Sequence, residues 1–258
     1  MLAVLDLVHQ LNAEGGCGPN GQPSASVLAG IGRLIGADVT SYTKVDHRTN
    51  KLVGAAVEPA EQNISGSDEF QAVFAQHPGL AGYRSGQLKL GESVAMTDLA
   101  ELRQLRRLPL YVDFYQSRGT LDQLLCMATL DQRHGTTLAL NRSSRGFSER
   151  DRAVLDLLTP HLVQASARAV RMAELTTAVH HLSRQADRLD LALDALPGLT
   201  RTERAVVEHV AGGLTDRETA RVLAVSPRTV QKHLENIYRK LGVSNRTSLA
   251  ALLDKERF

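Results

Sequence analysis

At 258 residues, with 43% hydrophobic and 22% charged side chains and a net charge of +2, the chain has the make-up of a folded protein. That length leaves room for one domain of ordinary size and a smaller second one. Tryptophan is absent and aromatics are few, which argues against a large aromatic ligand cage, and the two cysteines, Cys17 and Cys126, make no disulfide framework and suit a reducing cytoplasm.

The opening, Met1 to Glu14, is apolar but has no basic start, is interrupted by Asp6 and lacks a small-residue cleavage site. It reads as an amphipathic helix rather than a signal peptide, and no run approaches membrane-spanning length, so no membrane partner is expected. Ser24 to Ile35 reads as a second helix, with Leu28, Ile31, Leu34 and Ile35 along one side. Gly16, Gly18 and Gly21 between them have the spacing of a dinucleotide fingerprint. That fingerprint needs a strand before it and a helix directly after; here a helix precedes it and Pro19 stiffens it, so a plain loop is expected and no cofactor.

A hairpin comes next, Asp38 to Val45 and Leu52 to Val57, with Asp46 to Lys51 as its turn. Helical patterns cover Asp68 to Gln76, Asp98 to Arg106 and Leu110 to Arg118. Leu121 to Leu130 and Thr136 to Asn141 form a second hairpin through Asp131 to Gly135. Ser148 then caps a helix whose pattern continues to Leu196. The order fits an α+β domain, a sheet covered on one face by helices.

Within that last helix Leu155, Leu158, Leu162, Ala165, Ala169 and Met172 alternate three and four apart. Leu175, Val179, Leu182, Ala186, Leu189, Leu193 and Leu196 continue the alternation after a stammer at Met172. Pro160 should kink or restart the helix near its beginning. So long a seam needs something to pack on: a second copy of itself, giving a homodimer, or its own N-terminal domain. Leu249, Leu252 and Leu253 near the C-terminus are further candidates for that dimer contact. Pro197-Gly198 breaks the helix and marks the sharpest boundary in the chain.

From Pro197 onward there are eleven Lys and Arg against seven Asp and Glu, a balance of +4, beside −2 for the remainder. A basic small domain next to a slightly acidic larger one suits a nucleic-acid reader with a separate sensor. Two short helices here open with capping boxes, Thr200 with Glu203 and Thr215 with Glu218. A longer helix, Ser226 to Leu241, has Ser226 as N-cap, Pro227 at the first helical position and Gly242 beyond its end. Val230, Leu234, Ile237 and Leu241 form its apolar stripe; Arg228, Gln231, Lys232, Glu235, Arg239 and Lys240 occupy the other face. This is helix-turn-helix grammar.

Those residues carry a resemblance to the DNA-binding domain of LuxR-type regulators, spanning Leu199 to Leu253. The matching positions include Leu199-Thr200, Glu203, Gly213-Leu214, Glu218, Val225-Ser226, Thr229-Val230, His233, Asn236-Ile237, Lys240-Leu241-Gly242-Val243 and Arg246-Thr247. Gln231 departs from the lysine frequent in the family, so the target sequence does not carry over. The resemblance implies a four-helix DNA-binding domain that reads double-stranded DNA as a dimer. Gln231, Lys232 and Glu235 would face base edges, and Arg228, Thr229, Lys240 and Arg246 would hold phosphates.

Residues 1 to 170 are similar to the GAF-like sensor domains that precede such DNA-binding domains, with Asp38 to Asp46, Leu108 to Gly119 and Arg142 to His161 matching best. The resemblance implies a GAF-like sensor domain over residues 1–148, a linker and dimerisation helix over 149–196 and the helix-turn-helix domain over 197–258. It also implies a mostly apolar pocket for a small-molecule effector, or else a protein-contact surface; RNA polymerase is a further partner it admits. Pocket candidates by residue type are Tyr42, Phe70, Phe74, Tyr83, Tyr111, Phe114, Tyr115 and Met127. His77, beside Pro78, is a candidate to orient a ligand or a loop histidine at a helix end.

No catalytic constellation stands out. Gly82-Tyr83-Arg84-Ser85-Gly86 lacks the spacing of a nucleophile elbow, and there is no Walker-type loop. His180 and His181 are adjacent on a helix, so they point apart and do not suit joint metal chelation. The expectation is a regulator, not an enzyme.

Overall fold

The computed structural model describes residues 2–86, 88–195 and 198–256, apart from the side chains at positions 84, 102, 189, 190, 192–195 and 254–256. The chain divides into two compact units, Met1–Glu174 and Leu175–Phe258. Among the described residues no helix is long and apolar enough to cross a membrane.

The first unit begins with α1 (Leu2–Asn12) and α2 (Ala25–Ile35). The Ser24 hydroxyl accepts from the Val27 N–H, and Gly36 closes α2 at φ 77°, a left-handed conformation that a Cβ would strain. Then come β1 (Val39–Asp46), β2 (Lys51–Glu58), α3 (Asp68–Phe74), α4 (Pro78–Arg84), β3 (Ser93–Ala95), α5 (Met96–Leu99) and α6 (Leu102–Leu105). A π-helical turn, Leu110–Tyr115, leads through a 3-10 turn, Gln116–Arg118, into β4 (Asp122–Leu130) and β5 (His134–Arg142). The strands form one antiparallel sheet in the order β2-β1-β5-β4-β3.

Strand alternation sorts the sheet residues onto two faces. Tyr42, Leu124, Cys126, Leu138 and Leu140 join α1, α2 and the start of α7 (Glu149–Ala195) in one core, with Leu155, Leu158, Leu162 and Ala165 supplied by α7. Each fully buried leucine there contributes roughly 1.5–3 kcal/mol relative to exposure. The other face meets α3, α4 and the π-helical turn: Tyr83, Leu125 and Met127 form one apolar cluster, Phe70, Phe74, Leu110, Tyr111 and Tyr115 part of another. The sheet is therefore covered on both faces, not one. The α+β class followed by a long helix and an all-α unit is as expected. The pattern over Asp98 to Arg106 is divided between α5 and α6, and α4 and β3 are additions that are too short to show a period.

Two expectations about α7 are corrected. It continues through Pro160 rather than restarting there, the proline forfeiting one backbone hydrogen bond. The first part of its seam is not open to a partner: Leu155, Leu158, Leu162 and Ala165 are spent on the chain's own sheet. Met172, Leu175, Val179 and Leu182 are exposed. Leu196 and Pro197 lie outside the described residues, as do the side chains of Leu189 and Leu193.

The second unit holds the end of α7 and then α8 (Arg201–Ala211), α9 (Asp216–Val222), α10 (Pro227–Leu241) and α11 (Arg246–Glu256). Val206, Val207, Ala220, Val230, Ile237, Leu249 and Leu253 are among its core residues. Leu249 and Leu253 are each 1% exposed, so these two leucines of α11 serve their own core rather than a dimer contact.

Candidate nucleic-acid interface and interior cavity

The three signals at the ends of α10 hold in the structure. The Thr229 N–H donates to Ser226 Oγ at 3.1 Å, Pro227 opens the helix, and Gly242 ends it at φ 69°. Both capping boxes close as well. Glu203 Oε2 accepts from the Thr200 N–H at 2.8 Å and Glu218 Oε2 from the Thr215 N–H at 2.7 Å. The turn between α9 and α10 passes through Ala224 at φ 52°, a left-handed conformation that costs an L-residue about 1–2 kcal/mol.

Val230, Leu234 and Ile237 face the core, so the opposite side of α10 is free of packing duty. Arg228, Gln231, Lys232 and Glu235 are exposed there, spaced so that they share one face. Thr229 is half-buried, its hydroxyl paired with that of Ser226 at 2.8 Å. Lys240 and Arg246 also have partners within the unit. The Lys240 ammonium donates to Glu203 Oε2 at 2.6 Å, and together with the Thr200 amide it holds that carboxyl down at about 2. The Arg246 guanidinium donates to the Leu214 carbonyl and, at 3.1 Å, to that of Val210, and lies 3.6 Å from Asp216. Both cations tie α10 and α11 to α8 and to the start of α9. Sequence position alone does not separate a surface cation that clasps a neighbouring helix from one that awaits a phosphate.

In the first unit a cavity of about 90 Å³ lies between the sheet and the α3, α4 and π-helical segments. Of the eight candidates, Phe70, Phe74, Tyr83 and Tyr115 line it. Tyr42 does not, because its even position on β1 turns it to the opposite, helix-covered face. Tyr111 is buried behind the wall with its ring edge-on to Tyr115, and Phe114 packs edge-on against Phe70. Met127 lines a second cavity, of about 180 Å³, with His47, Leu80, Tyr83 and Leu130.

His77 caps α4, and its ring lines the first cavity. Its Nδ1 accepts from the Gly79 N–H at 3.1 Å, and Nε2 lies 2.7 Å from Gln123 Oε1. Gln123 Nε2 in turn donates to Asn141 Oδ1 at 2.7 Å and to Tyr115 Oη at 3.2 Å. Burial lowers the His77 pKa, keeping the ring neutral, and pushes the Tyr115 phenol up to about 12. Gln123 and Asn141 escaped the residue-type search, although a signal existed: Ser41 and Thr43 on β1, Gln123 on β4, and Thr137 and Asn141 on β5 are polar residues on one face of the sheet. Such a polar row on one face of a covered sheet marks a lined cavity rather than a packed core.

A long, capped, polar-faced helix following a short helix and a tight turn defines the second unit as a helix-turn-helix module. Residues 197–253 match the luxR family of bacterial regulatory proteins, and the chain carries a LuxR-family helix-turn-helix domain at its C-terminal end. An HTH-type transcriptional regulator of Mycobacterium bovis, Mb0914c, is 53% identical over 51 residues, covering 20% of this chain and 6% of that protein. The transcriptional regulatory protein UhpA of Escherichia coli is 41% identical over 83 residues, covering 30% of this chain and 42% of UhpA. The chain thus spans less than half the length of these relatives. Among solved structures, the VqsR LBD domain from Pseudomonas aeruginosa aligns with 66% of this chain and 95% of its own at a TM-score of 0.48 and 15% identity.

Proposed function

We propose that this chain is a transcriptional regulator that reads a pseudopalindromic site in double-stranded DNA as a homodimer, its output set by a small molecule in the cavity of the first unit. The observation that carries the reading is α10: its caps fix the helix, its apolar stripe is buried, and its remaining face is polar, basic and exposed at Arg228, Gln231, Lys232 and Glu235. In this reading the helix lies in the major groove. Gln231, Lys232 and Glu235 meet base edges, and Arg228 and Thr229 hold phosphates.

Dimerisation rests on the second half of α7, where Met172, Leu175, Val179 and Leu182 are exposed at three-four-three spacing. An apolar row left in water on a long helix is supplied with a matching surface by its own symmetry mate. The cavity, with aromatic walls and a buried hydrogen-bond network, supports the sensing part of the reading. Cys17 and Cys126 are free thiols, which fits action in a reducing cytoplasm.

Titration of cognate and scrambled duplexes at several salt concentrations tests the docking. Lys232→Ala is expected to cost roughly 1–3 kcal/mol on the cognate duplex and to relax preference at one base pair per half-site. Arg228→Ala is expected to weaken all sequences alike and to shallow the salt slope by about one unit per site. The reverse pattern overturns the docking; normal DNA binding by the full chain with α10's polar face changed to Ala overturns the function.

A further inference from the structure

The network beside the cavity has a direction, and a single backbone amide sets it. The Gly79 N–H can only donate, so His77 Nδ1, which receives it at 3.1 Å, carries no proton. The ring's proton is therefore on Nε2 and is donated to Gln123 Oε1 at 2.7 Å. That contact fixes which end of the Gln123 amide is oxygen, and so turns its NH2 toward Tyr115 Oη and Asn141 Oδ1. Each oxygen thereby accepts one hydrogen bond. Both groups also keep donors, Tyr115 its hydroxyl proton and Asn141 its own NH2, with no acceptor for either among the described residues.

The hydroxyls around the cavity are of two kinds. Thr137 Oγ1 is buried without a partner, free to donate or to accept. Ser41 and Thr43 give their protons to the Ala139 and Thr137 carbonyls at 3.3 and 3.5 Å and keep lone pairs that can accept an amide N–H. Among the described residues no carboxylate lines the cavity, and the one cation that does, Arg118, is an exposed side chain whose guanidinium donates to the Phe114 carbonyl at 3.0 Å. Gln123, His77 and Tyr115 are 3%, 7% and 6% exposed and Asn141 is half-buried, so leaving the Tyr115 donor unanswered is costly. An ammonium finds hydroxyl acceptors but no carboxylate to offset the loss of its water. A carboxylate finds donors but no buried cation to offset the loss of its water.

We infer that the cavity takes an uncharged molecule with a carbonyl acceptor of the amide, ester or ketone type on a small apolar body, the carbonyl received by Tyr115 Oη–H and Asn141 Nδ2–H. The inference rests on the reading of this cavity as an effector site and names what that site recognises.

Calorimetric titration of the full chain at pH 7.5 with hexanamide, hexanoate and hexylamine tests it, the three probes sharing a chain and differing in head group. Hexanamide is expected to bind at least tenfold more tightly than the other two, and roughly tenfold more weakly to Tyr115→Phe. Asn141→Asp keeps the acceptor for Gln123 but replaces the donor with a carboxylate, so it should reverse the preference in favour of hexylamine. Circular dichroism and binding to a DNA duplex check that each variant is folded. Hexanoate or hexylamine binding as tightly as hexanamide, or an affinity unchanged in Tyr115→Phe, overturns the donor assignment and leaves the effector reading standing. Absence of heat with all three probes, in a chain that still binds DNA, overturns the effector reading together with it.

Discussion

The two halves of α7 share one pattern and have opposite surroundings. Leu155, Leu158, Leu162 and Ala165 repeat three and four apart and are 0–2% exposed; Met172, Leu175, Val179 and Leu182 repeat in the same way and are 56–63% exposed. The first set lies on the sheet, against Leu124, Cys126, Leu138 and Leu140; the second is exposed. An apolar row at helical spacing states that a helix has a face to hide. It does not state which surface hides it, and a heptad-like row can serve a sheet as well as a coiled coil.

Substitutions in the two halves should therefore fail differently, and the buried half carries the largest effect. Leu158→Ala removes a fully buried side chain between α7 and the sheet and is expected to cost about 2–5 kcal/mol, read from urea unfolding followed by circular dichroism. A cost below about 0.5 kcal/mol would mean that the first half does not anchor the helix. Changing both Val179 and Leu182 to Glu should leave subunit unfolding nearly unaltered while the light-scattering mass falls from two chains to one. An unchanged mass would take this stretch out of the dimer.

The contrast also requires the second unit to be stable through its own contacts, and Glu203 gives a handle on that. Its carboxyl is held at about 2, first by the Lys240 hydrogen bond and then by the Thr200 amide, against an unfolded value of about 4.3. A depressed carboxylate contributes stability that is complete above the unfolded pKa and is lost as pH falls through the folded one. Unfolding of the second unit should thus become easier between about pH 4.5 and 2, and Lys240→Met should flatten that dependence. A pH profile identical in the variant would remove the pair from the unit's stability.

The smallest effect expected is a gain. Ala224 sits at φ 52° between α9 and α10, where glycine carries no Cβ penalty, so Ala224→Gly should raise the stability of the second unit by about 0.5–1 kcal/mol. The first unit and the chain's mass should not change. Differential scanning calorimetry resolves the two units if only one transition moves.

How much was legible in the sequence follows the range of the interactions concerned. The second unit was read nearly whole, because its signals are local. A capping box closes within three residues, Pro227 and Gly242 act at helix ends, and the stripe of Val230, Leu234 and Ile237 repeats within one helix. The hairpins were legible for the same reason, their strands being joined by short turns. The sites depend on partners distant in the chain. Lys240 meets Glu203, and Arg246 meets the Leu214 carbonyl, only once four helices have packed. Gln123 acquires meaning from His77, 46 residues earlier, and from Asn141, 18 residues later. Residue type and periodicity determined which segments are helices and strands and which faces are apolar. Tertiary packing alone decided which of those faces the chain covers itself, which cations pair internally and which donors remain unanswered, because burial and hydrogen-bond partnership are properties of contacts across the fold.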